Sequence, residues 1–384
     1  MNMIADFRTF PVVSPIVAVR AMAGYVEVKW GDGRISPFHE PWLRDNCPCP
    51  ACVYAVTREQ VFQIADVPAD LRVESAGLTA QGTLALVWQD GHASQFDPGW
   101  LRAHAYDEAS RNERNNVRPK KQLWRADLPL QVFPYADIMA DDAHLLAWLI
   151  AVRDTGLTQV TGMPVAQGTL TAIARRISFI RETNFGVLFD VQSKVEADSN
   201  AYTAFNLPLH TDLPTRELQP GLQFLHCLVN DALGGDSTFV DGFAVADYLN
   251  REEPELYRIL CQTPVEFRNK GRTSDYRFLA PIIALDASGA LAEVRMANFL
   301  RGPYDLPPEQ MLPYYSAYRR FIELTRDPRF RFTRRLEAGQ MWCFDNRRVL
   351  HARDAFDPAS GARHLQGCYV DRDELLSRIL VLQR

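Results

Sequence analysis

The sequence lacks the features that mark membrane-spanning, secreted and nucleic-acid-binding proteins. Its 384 residues contain no apolar run of about eighteen residues, the length that a transmembrane helix needs. The first residues, "MNMIADFRTFPVV", have no basic region followed by an apolar stretch, so no signal peptide is predicted. A formal net charge of −5 argues against nucleic acid as the main partner. We therefore expect a cytoplasmic protein with neither a membrane nor a nucleic-acid partner.

Cysteine is also scarce, since seven residues are too few and too unevenly spread for a disulfide framework. Four of them lie alone in apolar stretches and are expected to be buried small hydrophobic residues. The other three, Cys47, Cys49 and Cys52, crowd into the segment "DNCPCPAC". Crowded thiolates suit zinc, and a structural zinc ion takes four ligands. His92 in the turn "DGHAS" is the best candidate for the fourth ligand, His39 is its competitor, and a reactive thiol pair is the alternative to a metal site.

No internal repeat or low-complexity tract is identified, and the length is enough for two domains. Short strands are predicted from about residue 12 to 105, with hairpins around residues 31–33 and 90–91. Two helices are predicted next, in "DDAHLLAWLIAVRDTG" and "TLTAIARRISFIRET". From residue 202 onward the pattern indicates mainly strands, with one helix in "PEQMLPYYSAYRRFIELTRD". This order favours a mainly β fold with flanking helices, as in a sandwich or jelly-roll barrel.

A charged segment at residues 107–127 separates the two patterns and contains almost no apolar residues. Such composition is typical of a boundary between domains. The predicted organisation is therefore a small zinc-binding β-rich domain (1–110), a linker (111–127) and a larger β domain (128–384).

The segment "LPLHTDLPT" places an acid two residues after a histidine, between two prolines. Pro208 and Pro214 disfavour a helix because each biases the residue before it toward an extended backbone. In an extended segment His210 and Asp212 point to the same side and could share one metal ion. His351, in "FDNRRVLHARD", follows a predicted turn at Asn346 and Arg347 and stands out among the other histidines as the third ligand. Two histidines and one carboxylate form the facial triad of non-haem iron(II) oxygenases.

Such oxygenases often use a keto acid whose far carboxylate must be held. Arg363 follows His351 by twelve residues, across a loop rich in turn-forming residues. Its planar guanidinium suits a carboxylate because it donates two parallel hydrogen bonds. In the strand "RHLQGCYV", Arg363 and Tyr369 lie on one face and are expected to point into the same cavity. A solvated surface arginine is the alternative.

With these residues assembled, the chain resembles the γ-butyrobetaine dioxygenases, which are 2-oxoglutarate- and Fe(II)-dependent enzymes of the taurine dioxygenase-like superfamily that make L-carnitine. The matching motifs are "WLRDNCPCPAC" with "WQDGH", "LHTDLP", "GLQFLHC" with "GGDSTFVDGF", "FDNRRVLHAR" and "RHLQGCYVDRDELLSRI". They extend over nearly the whole chain. The resemblance implies a double-stranded β-helix (jelly-roll) catalytic domain and a homodimer. It also implies hydroxylation of γ-butyrobetaine by O2, with succinate and CO2 as coproducts and ascorbate as a stimulant.

The resemblance also implies roles for individual residues. It assigns iron to His210, Asp212 and His351, and structural zinc to Cys47, Cys49, Cys52 and His92. It assigns 2-oxoglutarate to Arg363, with Ser237 as a helper.

An aromatic cage for the trimethylammonium group of the substrate is part of the same resemblance. A quaternary ammonium has no N–H to donate, so ring faces suit it through cation–π attraction. The matching residues are Phe185, Phe189, Tyr202 and Tyr369, while Ser199 and Asn298 are candidates for the substrate carboxylate. Animal relatives have tyrosine and tryptophan where this chain has Phe185 and Phe189, which predicts a weaker cage. Without the resemblance, core packing would explain these aromatic residues.

Two alternatives remain. A trimethyllysine dioxygenase has a similar cage, but its substrate also carries an α-amino group. An additional acidic residue near the far end of the substrate would favour this alternative, and none is identified in the sequence. A non-catalytic zinc- and ligand-binding module would have the same fold without the chemistry. The presence of Asp212 and Arg363 argues against such a module.

Overall fold

The computed structural model describes residues 6–192, 204–271 and 273–384, which fall into two compact units, Met1–Pro119 and Lys120–Arg384. This division lies within the predicted linker, and the predicted domain boundaries themselves stay predictions. Part of that linker is helical, because a helix spans Glu108–Val117. Asp107 caps this helix by accepting a hydrogen bond from the backbone N–H of Ser110.

The first unit contains two three-stranded antiparallel sheets, each followed by a short helix. The strands are β1 (Ile16–Met22), β2 (Tyr25–Trp30), β3 (Ile35–His39), β4 (Val73–Leu78), β5 (Leu84–Trp88) and β6 (Ala93–Phe96). The helices are α1 (Glu40–Asp45), α2 (Pro98–His104) and α3 (Glu108–Val117), and a 3-10 turn spans Ile64–Asp66. Both predicted hairpins, β2–β3 and β5–β6, are confirmed.

The two sheets of the first unit are copies of one pattern, so the expectation of no internal repeat is wrong. The segments "WGDGRISPFHEPWLR" and "WQDGHASQFDPGWLR" match position by position from their first tryptophans, Trp30 and Trp88. In each copy the indole N–H donates to a buried serine six residues on, Ser36 or Ser94. Both tryptophans are fully buried in one shared core.

Sixteen strands lie in the described residues of the second unit. They are β7 (Gln131–Pro134), β8 (Leu157–Thr161), β9 (Phe189–Val191), β10 (Leu207–His210), β11 (Leu222–Asn230), β12 (Leu233–Gly234), β13 (Ser237–Asp241), β14 (Val265–Lys270), β15 (Asp275–Ala280), β16 (Ile283–Leu285), β17 (Leu291–Val294), β18 (Arg331–Arg334), β19 (Met341–Asp345), β20 (Val349–Arg353), β21 (Phe356–Asp357) and β22 (Arg363–Val370).

The helices of this unit are α4 (Tyr135–Ala140), α5 (Asp142–Thr155), α6 (Thr169–Ile177), α7 (Gly242–Glu252), α8 (Pro254–Gln262), α9 (Pro308–Arg326) and α10 (Arg372–Leu382), with 3-10 turns at Asn298–Leu300 and Pro328–Phe330. The prediction of a single helix after residue 202 is wrong, since α7, α8 and α10 accompany α9. The structure confirms the predicted helices in α5 and α6. No helix in the described ranges is both long and apolar enough to cross a membrane.

Two sheets form the body of the second unit. The larger has the order β7-β8-β19-β11-β22-β9 and the smaller has the order β10-β20-β13-β18. Apolar side chains from both sheets meet in one buried cluster, with Phe239 and Val349 from the smaller sheet and Trp342, Phe344 and Leu365 from the larger. The inner faces of the two sheets therefore face each other, as a jelly roll requires.

The outer face of each sheet is covered by helices. Leu222 and Phe224 of β11 pack against α5, α6 and α10, whereas Val240 and Leu350 of the smaller sheet pack against α7, α8 and α9. Because β11 side chains alternate, the odd-numbered residues point inward, away from the helices. Of the four isolated cysteines, three are buried as predicted and Cys261 is half-buried.

Candidate functional site

His210, Asp212 and His351 converge on one point between the two sheets. One ligand atom from each lies within 4.8 Å of the others. Cross-strand pairing causes the convergence, because His210 of β10 stands directly opposite His351 of β20. Their ring centroids are 4.1 Å apart, and both side chains are buried. Residues that are distant in sequence therefore form one cluster.

The spacing of these atoms fits a single octahedral ion. The nearer carboxylate oxygen of Asp212 is 3.1 Å from His210 Nε2 and 3.7 Å from His351 Nε2. Neighbouring ligands of an octahedral ion with bonds of about 2.1 Å are roughly 3 Å apart. Two nitrogens and one oxygen are also the donor set expected for non-haem iron(II).

Surrounding groups fix the orientation of both rings. The Nδ1–H of His210 donates to the carbonyl oxygen of Pro208 at 2.8 Å, which leaves Nε2 for a metal. The ring of Phe299 packs against His210 and the ring of Phe344 against His351, with centroids 5.2 and 4.9 Å apart. The Nδ1 of His351 has no hydrogen-bond partner among the described residues.

The protonation states also suit a cation. Burial, followed by the charge of neighbouring His210, lowers the pKa of His351 to about 3, so its ring is neutral. Burial alone would raise the pKa of Asp212. The hydrogen bond from His210 and the charges of both imidazoles outweigh burial and hold that pKa well below its usual value. The cluster therefore presents a neutral His351 imidazole and an ionised Asp212 carboxylate.

Three hydrogen bonds hold Asp212, and two of them come from Asn346, whose role the residue pattern did not indicate. Asn346 clamps its backbone, since its side-chain oxygen accepts from the Asp212 N–H at 2.7 Å and its amide group donates to the Asp212 carbonyl at 3.1 Å. The hydroxyl of Tyr369 donates to the second carboxylate oxygen at 2.6 Å. Leu213 follows in the left-handed region, with φ of 52°, a costly conformation for leucine. Asn346 was interpreted only as part of a turn.

Three of the four predicted cage residues lie in the described chain and meet there. The ring of Phe189 lies 5.1 Å from that of Tyr369 and 6.2 Å from that of Phe185, between centroids. Gly367 makes room for this packing, because a Cβ at that position would lie 2.4 Å from the Phe189 ring. Predicted Tyr202 lies outside the described residues.

The two candidates for the substrate carboxylate are not brought together. Ser199 lies outside the described residues. Asn298 is exposed, and its side-chain oxygen accepts a hydrogen bond from Arg301 at 3.0 Å. Its neighbour Phe299 is the residue that contacts His210.

Arg363 is buried on the inner face of β22, where its Nε has no partner among the described residues. One terminal nitrogen approaches the carbonyl of Gly235 at 3.4 Å. Burial, followed by the charge of Arg353, lowers the pKa of Arg363 to about 10. Both guanidinium groups lie over the ring of Phe356, at 5.3 and 5.1 Å. Ser237, the predicted helper, stands directly opposite Arg353 on the neighbouring strand. Arg353, Arg363 and Ser237 therefore form one buried, positively charged region.

In the first unit, Cys47, Cys49, Cys52 and His92 form a second cluster. The three sulfur atoms lie 3.3, 3.6 and 3.7 Å from His92 Nε2. A tetrahedral zinc ion with ordinary bond lengths places sulfur and nitrogen ligands about 3.6 Å apart. His39 is elsewhere, exposed and hydrogen-bonded to Tyr106, so the structure favours His92 over its competitor.

The two copies of the repeat differ at the position of the histidine ligand. His92 occupies the turn of the second copy, where the first copy has Arg34. Arg44, which ends the first copy, donates to the sulfur of Cys52 at 3.2 Å. Burial raises the pKa of the Cys47 thiol to about 12. Burial alone would raise the pKa of the Cys49 thiol as well. Hydrogen bonds from Cys47 and from the backbone outweigh burial, so the pKa of Cys49 is lower than usual.

Two family models match the chain. The first, described as taurine catabolism dioxygenase TauD, TfdA family, matches residues 116–369. The second, described as gamma-butyrobetaine hydroxylase-like, N-terminal, matches residues 18–120.

Similar sequences extend over the full length. A protein named gamma-butyrobetaine dioxygenase from Pseudomonas sp. (strain AK-1) is 67% identical over 383 residues, covering 100% of both chains. A protein of the same name from Homo sapiens is 30% identical over 371 residues, covering 94% of this chain and 95% of that one. A trimethyllysine dioxygenase from Meyerozyma guilliermondii is 28% identical over 378 residues, covering 93% of each.

Among solved structures, AAD-2 in complex with Mn(II) and N-oxalylglycine is similar with a TM-score of 0.50 and 15% sequence identity. The match covers 65% of this chain and 97% of that one. At this identity the likeness concerns the fold alone. Together with the family match, it confirms the predicted mainly β jelly roll.

Proposed function

The chain belongs to the TauD, TfdA family of dioxygenases, and from that membership we propose that it is a γ-butyrobetaine dioxygenase. The reaction is hydroxylation of γ-butyrobetaine at C3 to give L-carnitine. It consumes 2-oxoglutarate and O2 and releases succinate and CO2. The observation that carries the proposal is the 67% identity, over the full chain, to a Pseudomonas protein named for this activity.

His210, Asp212 and His351 are the proposed ligands of Fe(II). Their donor set suits this ion, and three protein ligands leave positions free for other molecules. The iron supplies the oxygen chemistry that protein side chains do not provide. The contribution of the chain is positioning, since Asn346 and Tyr369 hold the backbone and the carboxylate of Asp212 in place.

The proposed contact for the distal carboxylate of 2-oxoglutarate is Arg363, with Ser237 as helper. A buried guanidinium nitrogen without a partner costs free energy until a ligand satisfies it. The neighbouring guanidinium of Arg353 adds positive charge to the same region. A dianionic cosubstrate would offset both costs, because it brings acceptors and negative charge together.

The trimethylammonium group is proposed to bind among Phe185, Phe189, Tyr202 and Tyr369. The first two and Tyr369 already lie within ring-contact distance of one another. Contacts between the substrate carboxylate and Ser199 or Asn298 stay predictions. The bond between Asn298 and Arg301 would have to open for Asn298 to serve.

Zinc bound by Cys47, Cys49, Cys52 and His92 is proposed to be structural. Four protein ligands close the coordination sphere of this ion, so no position is left for a substrate. Ion binding would therefore contribute directly to the folding of this unit.

We further propose a cytoplasmic homodimer whose turnover is stimulated by ascorbate. Light scattering coupled to size-exclusion chromatography measures the assembly directly. Assays with and without ascorbate measure the stimulation. Both proposals come from the resemblance to the family.

The activity is tested by incubating protein, Fe(II), 2-oxoglutarate and O2 with γ-butyrobetaine, and in parallel with trimethyllysine. Mass spectrometry should find succinate and L-carnitine in equal amounts, and His210→Ala should produce neither. Faster succinate release with trimethyllysine would identify the enzyme as a trimethyllysine dioxygenase. Absence of succinate with both substrates would support a non-catalytic binding module.

A further inference from the structure

Gln223 lies on the inner face of the larger sheet, beside the proposed iron site. It stands directly opposite Tyr369 on β22 and directly opposite Phe344 on β19. Directly opposed side chains have Cβ atoms about 5 Å apart. These three residues therefore form a row across the sheet, and all three point toward the smaller sheet.

The two ends of this row contact the metal cluster. The Tyr369 hydroxyl donates to Asp212, and the Phe344 ring packs on His351. Gln223 stands between these two residues in the row. A molecule bound beside the metal cluster, on the inner face of the larger sheet, would therefore meet the carboxamide of Gln223.

The carboxamide has an unmet hydrogen-bonding need. Gln223 is 2% exposed, and its side-chain oxygen has no partner among the described residues. Its neighbours on the sheet do not supply a donor, because Phe344 is apolar and the Tyr369 hydroxyl already donates to Asp212. A buried polar atom left unpaired costs about 1–3 kcal/mol. An acceptor on a bound ligand could complete the bonding only if the amide rotates and puts its NH2 group in place of this oxygen.

The hydrogen-bonding groups of 2-oxoglutarate suit a rotated amide at this position. Its keto acid end carries a carboxylate, which accepts hydrogen bonds, and it binds at the iron in the proposed reaction. A glutamine amide exchanges its oxygen and its NH2 group by rotation about the terminal side-chain bond. Rotation would present the NH2 group to the carboxylate without displacing the rest of the side chain.

We propose that Gln223 binds the keto acid end of 2-oxoglutarate by donating a hydrogen bond from its carboxamide. Gln223 then holds one end of the cosubstrate, while Arg363 holds the other from the same sheet. The inference rests on the proposed function for the identity of the cosubstrate. Gln223 belongs to the matching motif "GLQFLHC", but the residue pattern assigned it no role, because it reads as an ordinary strand position.

The test measures binding of 2-oxoglutarate without turnover, using Mn(II)-loaded protein and isothermal titration calorimetry. Gln223→Met keeps the volume but removes the donor, and should raise the Kd for 2-oxoglutarate about tenfold. Gln223→Glu adds a negative charge that repels the ligand, so it should raise that Kd further while leaving Mn(II) affinity equal or higher. The visible absorption band of the anaerobic Fe(II)–2-oxoglutarate complex should weaken or shift in both variants.

Gln366→Met is the matched control. Gln366 lies on β22 but on the outer face, where it bonds the Gly168 backbone and Asp190, so its loss should leave the Kd for 2-oxoglutarate unchanged. An unchanged Kd in Gln223→Met would overturn the inference. Weaker binding of γ-butyrobetaine alone would also overturn it, by placing the carboxamide against the substrate. Equal loss of Mn(II) and 2-oxoglutarate affinity in both variants would reduce Gln223 to a structural role.

Failure of the proposed function gives a different result. In that case wild-type protein would bind 2-oxoglutarate without converting γ-butyrobetaine. The Kd values of the Gln223 variants would still test the inference, because they are measured without turnover.

Discussion

The two metal clusters of this chain differ in how they are built. Three of the four zinc-type ligands lie in one short loop, and the fourth sits in a hairpin turn of the same small unit. The iron-type ligands are His210 of β10, Asp212 just after that strand, and His351 of β20, which pairs with β10. The first cluster has four ligands and the second has three. The loop site is closed and suited to stability, whereas the site between sheets is open and suited to chemistry.

The largest expected effect comes from removing a ligand of the open site. Asp212→Ala should lower turnover more than about a hundredfold. Loss of a residue that only hydrogen-bonds to a metal ligand already lowers metal affinity or activity roughly 10- to 100-fold. Thermal unfolding should still occur in one cooperative step. Asp190→Ala is the control, because this carboxylate bonds His364 and lies outside both clusters. Retained turnover in Asp212→Ala would show that this cluster does not bind the catalytic iron.

Loss of a ligand at the closed site should have the opposite profile. Cys49→Ser should lower the thermal midpoint and the zinc content, but not the iron content of the folded fraction. For a unit of about 100 residues, each kcal/mol lost lowers the midpoint by roughly 4–8 °C. Cys261→Ser is the control, since this half-buried cysteine stands apart from the cluster. Loss of iron with zinc intact would mean that the two metals are assigned to the wrong sites.

A smaller effect should separate substrate binding from metal binding at the open site. Gly367→Ala introduces a Cβ that would lie 2.4 Å from the Phe189 ring, so the ring must move. The KM for γ-butyrobetaine should rise about tenfold, as expected if a cation–π contact of 1–2 kcal/mol is lost. Gly77→Ala in β4 is the control, because its Cβ would meet open space. Unchanged KM would show that the Phe189 ring does not contact the substrate.

The same difference explains what the sequence could predict. The three cysteines were identified from sequence because their crowding is local, and His92 because its turn could present a side chain to a nearby loop. His210 and His351 are distant in sequence. Their pairing depends on strand register, which the residue pattern did not specify, so His351 was proposed from its chemistry and surroundings.

Other features depend on three-dimensional contacts. The residue pattern of "STFVDGF" indicates a strand through its last residue. In the structure the strand ends at Asp241, which caps α7, and the helix begins at the next residue. Asn346 was interpreted as a turn residue because its clamp on Asp212 joins distant segments. The indoles of Trp30 and Trp88 donate equivalent hydrogen bonds to Ser36 and Ser94, and this equivalence drew attention to the repeat.

Metal content per chain, measured by element on freshly purified protein, tests the central claim most directly. Wild-type protein should contain one zinc and one iron per chain. Asp212→Ala should keep its zinc and lose its iron. Cys49→Ser should contain less zinc, while its folded fraction keeps its iron. A wild-type chain with no iron after loading with Fe(II), or an Asp212→Ala variant that binds iron as tightly as wild type, would contradict the account.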